Sequence, residues 1–440
     1  MRQTLVAANR REVENISPMR FASIFKLPAD GGVARARYWL LAVVLIMLLS
    51  TSYSVVVELV CYVGFAIAPE LRRRLANVLR HPALIAWLPL ATVIVLATFY
   101  GPASWSDAVA SLAGWRRGLL LPLALAVFDD AASKRLVLRV LIATGFAGAL
   151  ISFVTAWGSI SLSERLVPGI IFHNYATQGL ILSVATIACI ATLLRPQSFA
   201  GDRLLGNPPA MVAAIAVMLF DIVFVLSGRT GHLAVMVMTV AIVVLLARAT
   251  WRMKILAGAV SFLCLALILA SSAHVRSRII QAAQQIETVD QSPEGTNLGQ
   301  RIVGWRNTVR LIRDHPIFGV GTGGFRDGYR PYVAGVSGWR GNETGDPHNQ
   351  FLKFLGEQGI VGLAVFLFFI FRSLTCPAAP PWRELAAAVL LGWCAASLAN
   401  SDFSTFAEGR MVFFWLGAML AGEPNARVSA TDLNKDSGAG

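Results

Sequence analysis

The sequence predicts an all-α polytopic membrane protein, with about twelve transmembrane helices and one long extramembrane loop that contains helices of its own. Three observations carry this. Of 440 residues, 56% are hydrophobic and 14% charged, more apolar surface than one soluble core can hide. The apolar residues fall in runs of about 20, the length that crosses a hydrocarbon layer. The net charge of +13 comes from basic residues that sit mainly between those runs, where they set topology rather than bind nucleic acid.

Residues 1–37 are polar and basic and read as a cytoplasmic tail. Residues 38–69 form an apolar run too long for one comfortable span and short for two. Two short passes are preferred, because they put Arg72, Arg73, Arg74 and Arg80 on the same side as the basic tail. Further spans are expected at 83–100, 111–128, 136–157, 169–194, 208–227, 231–248, 254–272, 349–371, 384–399 and 410–422, leaving both ends inside. The short inside loops then carry Lys134, Arg135, Arg195, Arg203, Arg248, Arg252, Arg372 and Arg383. Residues 273–348 form the long outer loop; its arginines do not break the charge rule, since long loops translocate largely regardless of charge. Residues 423–440 are a second polar tail. The five cysteines match no metal or redox spacing, and the long loop has none to form a disulfide. No signal peptide is evident ahead of the first apolar run.

The residues that bear chemistry collect on the outer side. Ser227-Gly228-Arg229-Thr230-Gly231 makes a tight turn between two spans. A guanidinium there suits an anion at the lipid–water boundary, since its fork of donors matches phosphate; a snorkelling anchor is the other reading. Gln300 to Asp314 reads as an amphipathic helix, with Ile302, Trp305, Val309 and Ile312 on one stripe and Arg306, Arg310 and Arg313 solvated. Arg301 lies at the edge of that stripe and is the arginine of this helix expected to face the protein or the membrane. The glycine-rich stretch from Gly319 to Phe325 lacks the Lys-Ser/Thr of a nucleotide loop and reads as a flexible turn.

Asp346-Pro347-His348-Asn349 precedes an apolar helix. Asp346 suits an N-cap and Pro347 the first helical position, which sets His348 in the first turn. The helix dipole and nearby arginines then disfavour the imidazolium, leaving the neutral ring a general base needs. Gly359 and Gly362 fall near the face of His348 and would let a neighbouring helix approach closely. The bland reading is a structural histidine at a helix end. Polar outliers nearby are Arg116, Arg117, Arg165, His173, Asn174, Asp402 and Glu408. Intramembrane charges are functional candidates by default, but adjacent Arg116 and Arg117 cannot face the same way on a helix, so at least one is expected to snorkel. His173 reads as a packing or hydrogen-bonding residue. No carboxylate cluster for Mg²⁺ and no zinc spacing appears, so no metal or other cofactor is expected.

His348-Asn349, nine residues, Gly359, two residues, Gly362 resembles the His-Asn-x9-Gly-x2-Gly pattern of O-antigen ligases. The Arg229 turn, Arg301-x3-Trp305 and the Pro316-to-Phe325 glycine stretch are similar too, and the likeness covers about residues 38–422. The same signatures occur in O-antigen polymerases and O-linked oligosaccharyltransferases. The resemblance implies a metal-independent, inverting glycosyltransferase of GT-C type in the bacterial inner membrane, with its site facing the periplasm. Its donor would be a glycan on undecaprenyl pyrophosphate and its acceptor a sugar hydroxyl of lipid A–core, both met among membrane lipids. It implies that His348 is the catalytic base, and that Arg229 and Arg301 bind the donor pyrophosphate. Arg165, Arg116, Asn349 and Asp402 are further substrate-binding candidates, Asp402 as a residue that orients His348 or binds acceptor. The short C-terminal tail and compact outer loop favour a ligase over an oligosaccharyltransferase; a polymerase using the same donor is the runner-up. A transporter of lipid-linked anions is the alternative of another class. It calls for inverted repeats or broken helices, and the sequence reveals neither convincingly.

Overall fold

The computed structural model describes residues 31–162, 167–291 and 295–422. The expected Arg165 site, residues 1–30 and 423–440 of the tails and residues 292–294 of the long loop lie outside those residues, while 31–37, expected in the first tail, begin the first helix. The described chain is helical throughout, with no strand among the described residues. In chain order the helices are α1 Gly31–Leu49, α2 Thr51–Ile67, α3 Pro69–Val78, α4 Pro82–Leu96, α5 Trp105–Gly114, α6 Leu120–Val127, α7 Ala131–Trp157, α8 Tyr175–Leu194, α9 Pro208–Phe220, α10 Arg229–Leu246, α11 Trp251–Ser271, α12 Ala273–Glu287, α13 Asn297–Asp314, α14 Phe325–Tyr329, α15 Gln350–Leu374, α16 Trp382–Ala396 and α17 Phe406–Leu420. Among the described residues eight helices are long and apolar enough to cross a membrane, or nine if α2 and α3, bent by 91° at Ala68, count as one span. This is a polytopic membrane protein.

The 38–69 run divides at Ser50, which caps α2 through Tyr53 N–H, and α1 and α2 pack along each other. The 111–128 run breaks into three pieces: α5, a 3₁₀ turn over Trp115–Leu119, and α6. The bundle is most tightly packed around α8, α16 and α17, whose side chains are buried nearly all round, as expected of helices enclosed by other helices.

One end of the bundle is closed by charge. Arg37 bonds Asp129 at 3.0 Å and Asp130 at 2.5 Å, and Arg74 reaches Asp129 at 2.8 Å. Lys134 donates to the carbonyls of Met419 and Ala421, and the His81 ring meets the Leu420 carbonyl. Helix α3 with the turn to Arg80, and the start of α7 with Lys134, therefore share an end with the last residues of α17. The 229, 301, 348 and 400 segments gather elsewhere, where α12 to α14 and their connections form a smaller unit. Leu311, Val320, Phe325, Tyr329 and Val333 make its separate core.

Three local expectations are corrected. The glycine stretch after α13 is a buried plug, and Val320 and Thr322 are 3% and 1% exposed. Val320 N–H and Gly321 N–H donate to the carbonyls of Gly356 and Glu357, and Thr322 N–H to that of Ala97. A Cβ on Gly321, at φ +84, would stand 2.1 Å from the Tyr100 carbonyl oxygen. Second, α15 is broken at Gly359, where φ is +63, so the chain does contain a discontinuous helix. The close neighbour is this plug, not a helix. Ile360 N–H and Val361 N–H donate to Pro316 and Ile317, and a Cβ on Gly359 would lie 2.2 Å from the Ile317 oxygen. Third, α13 buries Gly304, Asn307, Thr308 and Leu311, while Val309 of the expected stripe is exposed. The buried face is rotated toward Gly304, Asn307, Thr308 and Leu311, with Gly304 bordering the first cavity described below, a pattern hydrophobicity alone does not reveal.

Candidate functional site

The helix after the Asp-Pro-His-Asn segment starts later than expected. Asn349, not Asp346, is the N-cap of α15, and its Oδ1 accepts from Phe351 N–H and Leu352 N–H at 3.0 Å each. His348 stands just outside the helix with φ +51, in the left-handed region. That conformation costs a non-glycine residue about 1 kcal/mol and persists only where the surroundings impose it. They do so here through Asp346. Its Oδ1 accepts from His348 N–H at 2.7 Å and from Ser401 Oγ at 2.6 Å, while its Oδ2 pairs with Lys353 Nζ at 2.9 Å.

The segment between α16 and α17 is the anvil for this corner. Asn349 Nδ2 donates to the Leu398 carbonyl, and Gln350 Oε1 accepts from Phe403 N–H and Ser404 N–H. From α13, Trp305 Nε1 donates to the Pro347 carbonyl at 2.7 Å. Arg301 turns into the protein, as its place at the stripe edge predicts, and donates to Ala399 O at 2.6 Å and Asn400 Oδ1 at 3.2 Å. Asn400 Nδ2 in turn donates to Thr230 Oγ1 at 3.1 Å, beside Arg229. One short loop thus ties the three segments carrying Arg229, Arg301 and His348.

Two cavities meet there. The first, about 420 Å³, is lined by His348, Asp346, Thr344, Arg340, Trp339 and Tyr329, among others. The second, about 440 Å³, is lined by Arg229, Arg278, Arg301, Ser227, Gln285 and Thr296, among others. Tyr175, Asn297 and Arg301 line both. Among the described residues no carboxylate lines the second cavity. Guanidinium groups gathered without a counter-charge are the arrangement that takes up a multiply charged anion.

His348 opens into the first cavity, and the protein around it pushes its pKa below the ordinary 6.5. Burial is the main cause; Arg301 and Lys353 act in the same direction and Asp346 against it. The ring is therefore neutral at pH 7 and can accept a proton. Burial alone would raise Asp346, but Lys353, Ser401 and the His348 N–H outweigh it and hold the carboxyl below 3.8, ionised. Asp402 differs. It is 2% exposed, its Oδ2 has no hydrogen-bond partner, and burial, then Glu408, push its pKa well above 3.8 despite Arg301. The acid bonded to the His348 backbone is Asp346.

Arg116 and Arg117 sit apart from these cavities, and neither simply snorkels. Arg116 Nε lies 3.4 Å from Glu58 Oε2, and Arg117 donates to the Ser404 carbonyl. Glu58 is fully buried in α2 and is gripped by Arg410 of α17 and by the hydroxyl of Tyr62. His173, at φ +50, packs its ring near Phe406, and Asn174 caps α8. Among the described residues no group of three His, Cys, Asp or Glu is placed to hold a metal ion.

Sequence reasoning missed Tyr175, Arg278, Lys353, Asn400 and Ser401. Lys353 carried a signal, a cation one turn beyond a helix start. Tyr175, Asn400 and Ser401 are ordinary boundary residues until the fold brings them together.

Residues 210–367 match a family model described as O-Antigen ligase. The matched stretch contains Arg229, Arg278, Arg301, His348 and the Gly359 break, while the anvil loop lies beyond it. The match supports an enzyme of glycosyl-transfer type, active as O-antigen ligases or polymerases are in membrane glycan assembly. No curated protein matches the chain.

Proposed function

We propose that this chain, with its O-antigen ligase match, transfers a glycan from undecaprenyl pyrophosphate to a sugar hydroxyl of lipid A–core on the periplasmic face of the bacterial inner membrane. The observation that carries the reading is the pair of cavities joined at Arg301, one cationic and one opening on a neutral histidine. In this reading the chain makes twelve passes, the eight long apolar helices, the shorter α2, α16 and α17, and the broken segment of α5, its 3₁₀ turn and α6 taken as one.

The donor pyrophosphate lies against Arg229 and Arg301, and the acceptor hydroxyl approaches His348 Nε2 or Nδ1 from the other cavity. The histidine takes the hydroxyl proton as the oxygen attacks the anomeric carbon from the face opposite the leaving group. The glycosidic C–O bond to the pyrophosphate breaks, its electron pair passes to the departing phosphate oxygen, and the configuration inverts. The arginines stabilise the charge that develops there, as fixed donors do in a site shielded from water. Asp346 does not take the proton. It holds the His348 backbone, and its negative charge favours the imidazolium as it forms.

Reconstitution of the purified protein in liposomes with lipid-linked glycan, with and without lipid A–core, tests this. The expected product is a glycan–lipid A adduct that requires both substrates. Longer lipid-linked chains from donor alone make the protein a polymerase, and no new glycosidic bond from folded protein refutes the reading.

A further inference from the structure

Helix α12, Ala273–Glu287, leaves the span α11 after a single residue. Ser272 caps it through Val275 N–H, and Arg276 Nη1 donates back to the carbonyls of Ala270 and Ser271 at 2.6 and 2.9 Å. The junction is thus held by side chains, and α12 begins where the apolar helix α11 ends. Its exposed isoleucines gather on one side, which Arg276 and Glu287 share only at the two ends of the helix. Ile279 and Ile286, seven residues apart, lie within about 20° of each other on a helix, with Ile280 about 100° to one side. These three are 63%, 55% and 58% exposed. Arg278 and Gln285, also seven apart, lie about 100° to the other side and both line the cationic cavity. Three bare isoleucines are unfavourable in water, whereas an apolar face beside a basic one on a helix that adjoins a span is how an interfacial helix is built.

We infer that α12 lies in the outer-leaflet interface, its isoleucine face resting on lipid, and that Arg278 supplies a third guanidinium to the diphosphate of a lipid-linked donor as it leaves the bilayer. The second half of this rests on the function proposed above. Diphosphate and polyprenyl chain stay in contact with protein and bilayer together, the head between Arg278, Arg229 and Arg301 and the tail under the isoleucines. Lipid is the occupant this face fits: α12 continues directly from a membrane span, and its basic side suits anionic headgroups.

A spin label at Ile280→Cys, in a variant with the five native cysteines replaced and reconstituted in liposomes, reads the position of the helix without reference to activity. Greater collision with oxygen than with a water-soluble nickel chelate is expected. The reverse order, or protection from both as by a second protein copy, overturns the inference. Replacement of Ile279, Ile280 and Ile286 by Asn is expected to raise KM for a polyprenyl-linked donor about tenfold, with kcat and the KM for a short-chain, water-soluble donor unchanged. Arg278→Gln is expected to raise KM for both donors. Equal effects of the isoleucine changes on both donors, or none from Arg278→Gln, overturn it. If wild-type protein transfers glycan from neither donor, the proposed function falls, while the spin-label result still decides where α12 lies.

Discussion

His348 is strained in its backbone, which Asp346 holds, and neutral in its side chain, mainly through burial, with Lys353 and Arg301 helping and Asp346 opposing. Because Asp346 favours the charged ring and Lys353 disfavours it, their removal moves the acid limb of the pH–rate profile in opposite directions. Wild-type activity should persist at pH 6.5 and fall only as the pH drops through the lowered pKa, where His348 becomes protonated and can accept no proton. Asp346→Asn should shift that limb further down and lower kcat; Lys353→Met should shift it up. Parallel shifts would show that the clamp acts by packing alone. Asp402, whose pKa burial pushes well above 3.8 and whose Oδ2 has no hydrogen-bond partner, should tolerate Asp402→Asn with activity within about twofold, measured by the same transfer assay. Among the described residues Arg310 bonds only Asn307, on its own helix α13 at 3.3 Å, so Arg310→Ala should leave transfer unchanged. At this scale the arginine and histidine candidates were legible, because guanidinium and imidazole groups at span ends have few structural uses. The partners that hold them were not. Asn400 and Ser401 are ordinary polar residues whose meaning lies in distance, not spacing.

Between elements, the decisive feature is the break in α15. The freed backbone groups of an interrupted helix need partners, and the plug from Pro316 to Thr322 supplies them. The glycines of both segments are thus one device: the Gly359 turn admits the plug, and the plug ties the long loop to the bundle beneath the His348 corner. Gly359→Ala places a Cβ against the Ile317 carbonyl at a left-handed φ, and should lower the melting temperature in detergent and reduce transfer, with Gly362→Ala less severe. An unchanged melting temperature would contradict the interlock. The sequence pattern placed both glycines but assigned them to helix contact, since periodicity assumes an unbroken helix. For the same reason α13 was read from its large residues, while its buried face is built on Gly304, Thr308 and Leu311.

Across the whole molecule, α2, the turn before α6, and α17 meet at Glu58, fully buried between Arg410, Arg116 and Tyr62. It fixes how α17, which follows the anvil loop, stands relative to the first hairpin. Glu58→Gln leaves Arg410 without its counter-charge and should cost about 3–5 kcal/mol, read as loss of folded protein in detergent. Truncating both partners to apolar residues should cost less, since no buried charge is then left alone. Glu58 was visible in the sequence as the sole acid of the 38–69 run, yet its partners lie hundreds of residues away, and no pattern in one chain links them.

The central claim is that His348 performs chemistry while the arginines hold the donor. The most direct measurement is donor binding and single-turnover transfer by reconstituted His348→Ala beside wild type. The account predicts unchanged affinity for the lipid-linked donor and transfer slowed by about 10²-fold or more. Transfer at the wild-type rate by the folded variant would contradict it.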